Sequence, residues 1–406
     1  MQINNPLIAP SRQGIMVGFP PPPEKRVSRE NGYQPDHLGW RNQNPTRMYP
    51  TARISRGDAP IMSLPAGEPL ALDALRVPVD DGVELSYAEV LERTGVDSML
   101  VMHRGKVVYE GYFGDMNATK VHAMYSCTKS VVGLLVETLI FEGVLREDLR
   151  ASVYVPELLS SPLGSATLRQ LLDMRAHFKF SDAPKVPGQV QVDYIRGLGF
   201  MPRPADYAGP NGVYELLVNA RPMGEHGGLF RYDNGSTDTL GWILRKVTGQ
   251  PLDEIIGQRI WSRLGAQRDA SISIDAGGVE WAGAGMSATL QDFARLGEML
   301  RCHGAFNGQQ ILPEAVYRKI GQGGDPSIFG EAASVTPGGS YRSQLWFYHD
   351  RHASFACRGQ YGQRLWVAPQ AQVLIAQFAA DARLAAMEPL RLRGFQAIAD
   401  ELSRRH

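Results

Sequence analysis

The sequence predicts an α+β fold: one antiparallel sheet assembled from both ends of the chain, flanked by helices, with a large and mostly helical insertion between them. Three observations predict it. Two β-rich runs lie near residue 100, four more lie between 341 and 380, and the stretch between carries helical spacing almost throughout. Pairing early strands with late ones is the simplest way to satisfy the strand edges. The expected division is an extended N-terminal arm over 1–70, an α/β domain from 71–145 and 335–406, and a mostly helical domain over 146–334.

In chain order, residues 1–70 hold a proline run (Pro20 to Pro23), scattered Asn and Arg, and little periodicity. Trp40, Met48, Tyr49 and Ile54 supply apolar anchors, so the segment is expected to lie down over the rest of the protein rather than stay free. Residues 85–95 read as a short helix closed by a glycine. In 98–115, two β-rich runs flank Arg104-Gly105-Lys106, a hairpin signal. A helix is expected over 126–142, with Val131, Val132, Leu135, Leu139 and Ile140 apolar and Gly143 as its stop. Helical spacing recurs at 167–175, 214–221, 239–249, 253–265 and 290–304. Strands are expected at 341–349, 353–360, 364–370 and 373–380, and a last helix at 388–405.

The 406 residues suggest two or three domains, or one with a large insertion. Hydrophobic residues are 43% and charged residues 21%, an ordinary globular balance. Forty-two basic residues offset 42 acidic ones, so no net charge favours nucleic acid or an anionic membrane. Three cysteines, at 127, 302 and 357, do not make a disulfide framework. No apolar run approaches the roughly 20 residues of a spanning helix. The N-terminus lacks a basic stretch followed by an apolar core. A cytoplasmic protein is expected.

The sharpest chemical feature is Tyr125-Ser126-Cys127-Thr128-Lys129 at the start of an apolar helix. Residues three apart share a helix face, so Ser126 and Lys129 can meet. The helix start adds free N–H groups and partial positive charge. A desolvated lysine loses proton affinity and can act as a base, and a serine beside it becomes a usable nucleophile. A capped helix start with a solvated lysine would use the same residues. The second feature, Phe230 to Ser236, contains Tyr232-Asp233-Asn234 just before another helix. On an extended loop it presents a phenol and an amide to one cavity, and a phenol beside an ammonium is expected to favour the phenolate. The alternative is an Asn-Gly turn. The third is Cys357-Arg358-Gly359-Gln360, at the end of a late strand. Gly359 would let a substrate lie against the strand edge, and the Gln360 N–H could join that of Ser126 around an oxyanion. A plain β-turn is the alternative.

The order and separation of the three motifs resemble the serine hydrolases of the β-lactamase and penicillin-binding-protein superfamily, in which S-x-x-K opens a helix, Y-x-N follows about a hundred residues later, and K-T-G or a relative lies on an edge strand. Stretches 171–184, 231–244 and 285–300 and the strand around Gly359 to Gln363 are similar to the class C-like branch of carboxylesterases and 6-aminohexanoate-dimer hydrolases. The resemblance runs from about residue 45 to the end. It implies that Ser126 is the acylated nucleophile and that Lys129 and Tyr232 share the base and acid roles. Asn234 would orient Lys129 or substrate, and the N–H groups of Ser126 and Gln360 would form the oxyanion hole. It implies no cofactor and no metal, because water resolves the acyl-serine. The substrate is a small ester, with a linear amide second. A homodimer is left open, since relatives include dimers.

The third motif departs from Lys-Thr-Gly. Its Cys357-Arg358 loses the residues that meet the carboxylate of β-lactams. Arg358 cannot stand in at 357, because strand neighbours point to opposite faces. Nylon-oligomer hydrolases carry an acidic-Tyr pair after the -LLDM- helix, where this chain has Phe180-Ser181-Asp182-Ala183-Pro184. Tyr194 or Tyr207 is left to replace that tyrosine, and Asp182 reads as a solvated loop carboxylate. The alternative function is a catalytically silent member that binds a peptide or partner in the cleft. Three further signals are discounted. Gly283 to Ala288 fits G-x-G-x-x-A but lacks a βαβ context and reads as a glycine turn lining the cleft. His349 and His352 lack a third ligand. Cys127 reads as packed core.

Overall fold

The computed structural model describes residues 9–79, 82–180 and 192–405. Its centre is a seven-stranded antiparallel sheet. The early hairpin supplies β1 (Val96–His103) and β2 (Lys106–Tyr112). The late segment supplies β3 (Ser340–Arg342), β4 (Leu345–Phe347), β5 (Phe355–Arg358), β6 (Arg364–Ala368) and β7 (Val373–Ala379). The order is β3-β4-β5-β6-β7-β1-β2, so the two ends of the chain meet where β7 pairs with β1, with Ile375 opposite Val101. The run expected as one strand over 341–349 is two short strands. Ser343 and Gln344 between them take positive φ of 49° and 67°, which turns the chain back on itself.

Both faces of the sheet are covered, which is why its inner strands read as continuous apolar runs. Alternate side chains go to opposite layers. Leu100, Met102, Leu365 and Leu374 face one core; Met99, Val101, Trp366 and Ile375 face the other. The second core is closed by helix α5 (Leu384–Ser403), through Phe395, Ile398 and Leu402. The first holds helices α2 (Cys127–Phe141), α3 (Gly235–Thr248) and α4 (Leu290–Arg301). Residues 127–136 of α2 are all buried, consistent with a helix apolar all round.

Two regions differ from the sequence expectation. Between residues 9 and 70 the chain is not simply extended. It forms helix α1 (Pro35–Asn42), and Thr51–Ile54 is a strand. The anchors Trp40, Met48 and Ile54 are buried. The expected helical stretch also contains strands: Ala270–Ser273 and Met286–Ala288 join Thr51–Ile54 and His122–Ala123 in a second, four-stranded sheet. Neither apolar alternation nor length distinguished such short strands from loop. Through this sheet the N-terminal segment reaches the strand that leads to Ser126.

Candidate active site

Ser126 sits at the N-cap of α2 with its side chain unused in capping. The residue before it, Tyr125, has φ of +48°, so the chain turns sharply into the helix. Upstream, Ala123 pairs with Ser287 and the Met124 N–H donates to the Met286 carbonyl, which ties the turn to the second sheet. One helical turn on, the Lys129 ammonium donates to three oxygens: Ser126 Oγ at 3.3 Å, Asn234 Oδ1 at 2.6 Å and the Gly283 carbonyl. Asn234 is the N-cap of α3. Three distant segments therefore meet at one buried nitrogen. Asn234 touches Lys129, the first of the two roles expected for it.

Lys129 is 1% exposed. Burial lowers its proton affinity, while the carboxylates of Asp238 and Asp233 pull it back up, and it rests at about 8. A lysine so placed gives up its proton near neutral pH. Burial likewise pushes Asp233 up to about 6 and Asp238 up to about 7. Asp233 accepts from the Ser236 N–H and hydroxyl, capping α3 from within the motif. Asp238 accepts from the Gly283 N–H at 2.8 Å and from the Tyr194 hydroxyl. The Trp281 indole donates in turn to Tyr194 at 3.0 Å.

Tyr232 corrects an expectation. The lysine ammonium lies over its ring, 5.2 Å from the centroid, rather than at the hydroxyl. Burial dominates and pushes the phenol well above its ordinary value, with the neighbouring Ser126 hydroxyl pulling weakly the other way. That direction favours the phenol over the phenolate expected from the sequence.

Gly359 has a reason within the fold itself. A Cβ there would stand 2.4 Å from the Met124 carbonyl oxygen. The glycine lets the end of β5 press against the chain's own backbone beside Ser126. That contact brings Gln360 next to the nucleophile turn. Among the loop and cap hydrogen bonds of the described residues, neither the Ser126 nor the Gln360 N–H is a donor. Cys357 is buried among core residues with Cys127. Arg358 emerges from the opposite face of β5, 4.2 Å above the ring of Trp346. Trp346 in turn lies 5.5 Å from the ring of Tyr232, and the Arg358 charge tempers that phenol. Phe230 and Tyr341 complete this aromatic wall.

Several sequence signals resolve elsewhere. Tyr194 is buried behind the site on Asp238, and the Tyr207 hydroxyl donates to the Pro210 carbonyl. Ser181, Asp182, Ala183 and Pro184 lie outside the described residues. The glycine run at 283–288 does line the site, through the Gly283 carbonyl, but one flank is a strand rather than a helix. His349 bonds Ser340 and His352 bonds Asp400. Among the described residues no group of three or more His, Cys, Asp or Glu is placed to hold a metal. No helix among them is long and apolar enough to cross a membrane.

A family model described as Beta-lactamase matches residues 88–393, a span that includes every residue of this cluster. The chain belongs to the beta-lactamase family. Among its relatives, a 6-aminohexanoate-dimer hydrolase of Paenarthrobacter ureafaciens is 30% identical over 345 residues, covering 84% of each chain. A solved Bacillus anthracis protein provisionally named 6-aminohexanoate-dimer hydrolase superposes with a TM-score of 0.87 at 30% identity, covering 94% of this chain and 98% of that one. EstCE1, described as a hydrolase with promiscuous acyltransferase activity, shares the fold at a TM-score of 0.59 and 19% identity, covering 77% and 96%. The beta-lactamase-family relatives are named hydrolases, which supports hydrolytic chemistry for this chain.

Proposed function

We propose that the protein is a serine hydrolase that works through an acyl-enzyme on Ser126. The observation that carries this is the 3.3 Å approach of a buried, easily deprotonated Lys129 to the Ser126 hydroxyl. In the first step neutral Lys129 takes the Ser126 proton as Oγ attacks the substrate carbonyl carbon. The carbonyl oxygen becomes an oxyanion, received by the N–H groups of Ser126 and Gln360. The C–O or C–N bond then breaks. The Tyr232 phenol gives its proton to the leaving oxygen or nitrogen, and the Lys129 ammonium, which faces the ring and not the hydroxyl, restores it by way of solvent in the cleft. In the second step water attacks the ester, its proton passes to Lys129, and Ser126 leaves with a proton returned. Asn234 and the Gly283 carbonyl hold the lysine in reach throughout.

Short carboxylic esters are the first substrate class, because an alkoxide needs less protonation on leaving than an amine. Linear amides of the 6-aminohexanoate type are the second reading, favoured by the 30% identical relative of that name. The test is intact-mass spectrometry after a fluorophosphonate probe, followed by assays with p-nitrophenyl acetate and the 6-aminohexanoate dimer. A single adduct absent from Ser126→Ala is expected. A folded protein that takes no adduct would move the reading to a silent, cleft-binding member of the family.

A further inference from the structure

The N-terminal segment does more than cover the sheet. Three consecutive residues at the end of α1 plug into the site's supports. Arg41 donates to the Tyr125 hydroxyl, and to that of Tyr49 at 3.1 Å. The Tyr125 hydroxyl donates to Asn42 Oδ1 at 2.5 Å. Gln43 donates to Asp97 at 3.1 Å, and Asp97 meets His122 at 3.0 Å on the strand leading to the nucleophile. Leu38, fully buried, packs in one cluster with Tyr125 and Tyr361.

Tyr125 and Tyr361 are a related pair. Tyr125 directly precedes Ser126, and Tyr361 directly follows Gln360. Both carry positive φ, +48° and +61°, a strained conformation that a bulky residue keeps only where its surroundings impose it. Their rings meet edge to face at 5.1 Å. The two residues that flank the candidate oxyanion-hole amides are therefore locked to each other, and α1 is what locks them.

Arg41 is an unusual choice for mere packing. It is 6% exposed, and among the described residues no carboxylate pairs with it within ion-pair distance. It lies 3.9 Å over the ring of Tyr33, and its Nε is buried with no hydrogen-bond partner. An apolar side chain of similar size would fill the space without the desolvation cost of a charge. What the guanidinium does there is hold two phenol oxygens at fixed positions, one of them on the residue that aims Ser126.

We propose that α1, through Arg41 and Leu38, is a positioning element of the active site that clamps Tyr125 and Tyr361 and so sets the Ser126 and Gln360 amides for the transition state. The inference rests on the acyl-serine reading above. Arg41 touches no reacting atom, so it is a positioning residue.

The test compares wild type with Arg41→Met, Arg41→Lys, Tyr125→Phe and Leu38→Ala. It measures p-nitrophenyl acetate kinetics, the fluorophosphonate labelling rate at Ser126, the thermal midpoint and the pH profile. Arg41→Met and Tyr125→Phe are expected to lower kcat and the labelling rate ten-fold or more. KM should change less than three-fold, and the pH midpoint should stay where Lys129 puts it. Arg41→Lys should recover part of the loss. Arg41→Met with wild-type kcat and labelling would overturn the proposal, as would a loss confined to KM or one that tracks only the thermal midpoint. If Arg41→Met does not fold, Tyr125→Phe and Leu38→Ala decide by the same criteria. A wild type that never labels removes the acyl-serine reading and this inference together. A wild type that labels beside a folded Arg41→Met that labels equally removes the inference alone.

Discussion

Two buried cations support Ser126, one at its hydroxyl and one at the residue before it, and they are built for opposite purposes. Lys129 lies one helical turn along α2, among an amide oxygen, a backbone carbonyl and the serine hydroxyl. Its nearest carboxylates, Asp233 and Asp238, act at a distance and are themselves pushed up by burial. Arg41 lies on a helix from the far N-terminal side, surrounded by phenols. Burial makes the lysine easy to discharge, whereas a guanidinium keeps its proton in any protein environment. The protein thus places a proton acceptor where a proton must move and a permanent charge where geometry must not. The same physical cost, desolvation of a cation, is used once for chemistry and once for position.

The comparison can be broken most severely at the nucleophile the two cations serve, and next at the lysine. Removing the nucleophile itself with Ser126→Ala should cost on the order of a million-fold in turnover. Lys129→Met, which keeps the stem and deletes the base, should cost about 10²- to 10⁴-fold in kcat with the fold retained, read by steady-state kinetics and circular dichroism. Tyr232→Phe should cost about a hundred-fold, and more on the 6-aminohexanoate dimer than on p-nitrophenyl acetate, since the amine must leave protonated. Equal losses on both substrates would mean the phenol is not the acid. Gly359→Ala should lower stability by about 1–3 kcal/mol in a denaturant titration, because the added carbon meets the Met124 carbonyl and the backbone must shift.

The pH dependence sharpens the contrast at the smallest scale. The working form of Lys129 is the neutral amine. With its proton affinity lowered to about 8, the amine is scarce below that pH, so kcat/KM should rise about ten-fold per unit up to about pH 8 and then level. The Tyr232 phenol, pushed upward, should add no falling limb in the ordinary range. Asp238→Asn keeps an oxygen for the Gly283 N–H, turns an amide N–H toward the Tyr194 oxygen in place of an acceptor, and removes a negative charge that favours the ammonium. The rising limb should therefore move to lower pH. A move to higher pH would mean that Asp238 acts mainly by packing.

Much of the fold was legible. The hairpin near 100, the helix after Ser126 and the strands at 364–368 and 373–379 are long enough to show as apolar runs. The paired sheet then follows from the need to satisfy edges. The short strands at 270–273 and 286–288 were not legible, because three or four residues carry no period. In the site, Ser126 and Lys129 were readable because a helix fixes a three-residue spacing. Asn234 and Tyr232 came from a compact motif. The placing of the ammonium over the Tyr232 ring was not legible, since sequence adjacency says nothing about whether a charge faces a ring or a hydroxyl. Asp238, Gly283 and Arg41 were invisible as partners: Arg41 and Tyr125 are separated by 84 residues.

What the sequence determined by itself is therefore local: the helix that carries Ser126 and Lys129, the loop that carries Tyr232 and Asn234, and a glycine at 359. The tertiary structure decided the rest. It decided which face of Tyr232 meets the ammonium, why 359 must be glycine, and that a helix from the N-terminal segment braces the nucleophile turn. The reason is physical. Helix and turn geometry depend on neighbours a few residues apart, whereas burial, charge environment and the support of a strained backbone depend on whatever the fold brings alongside.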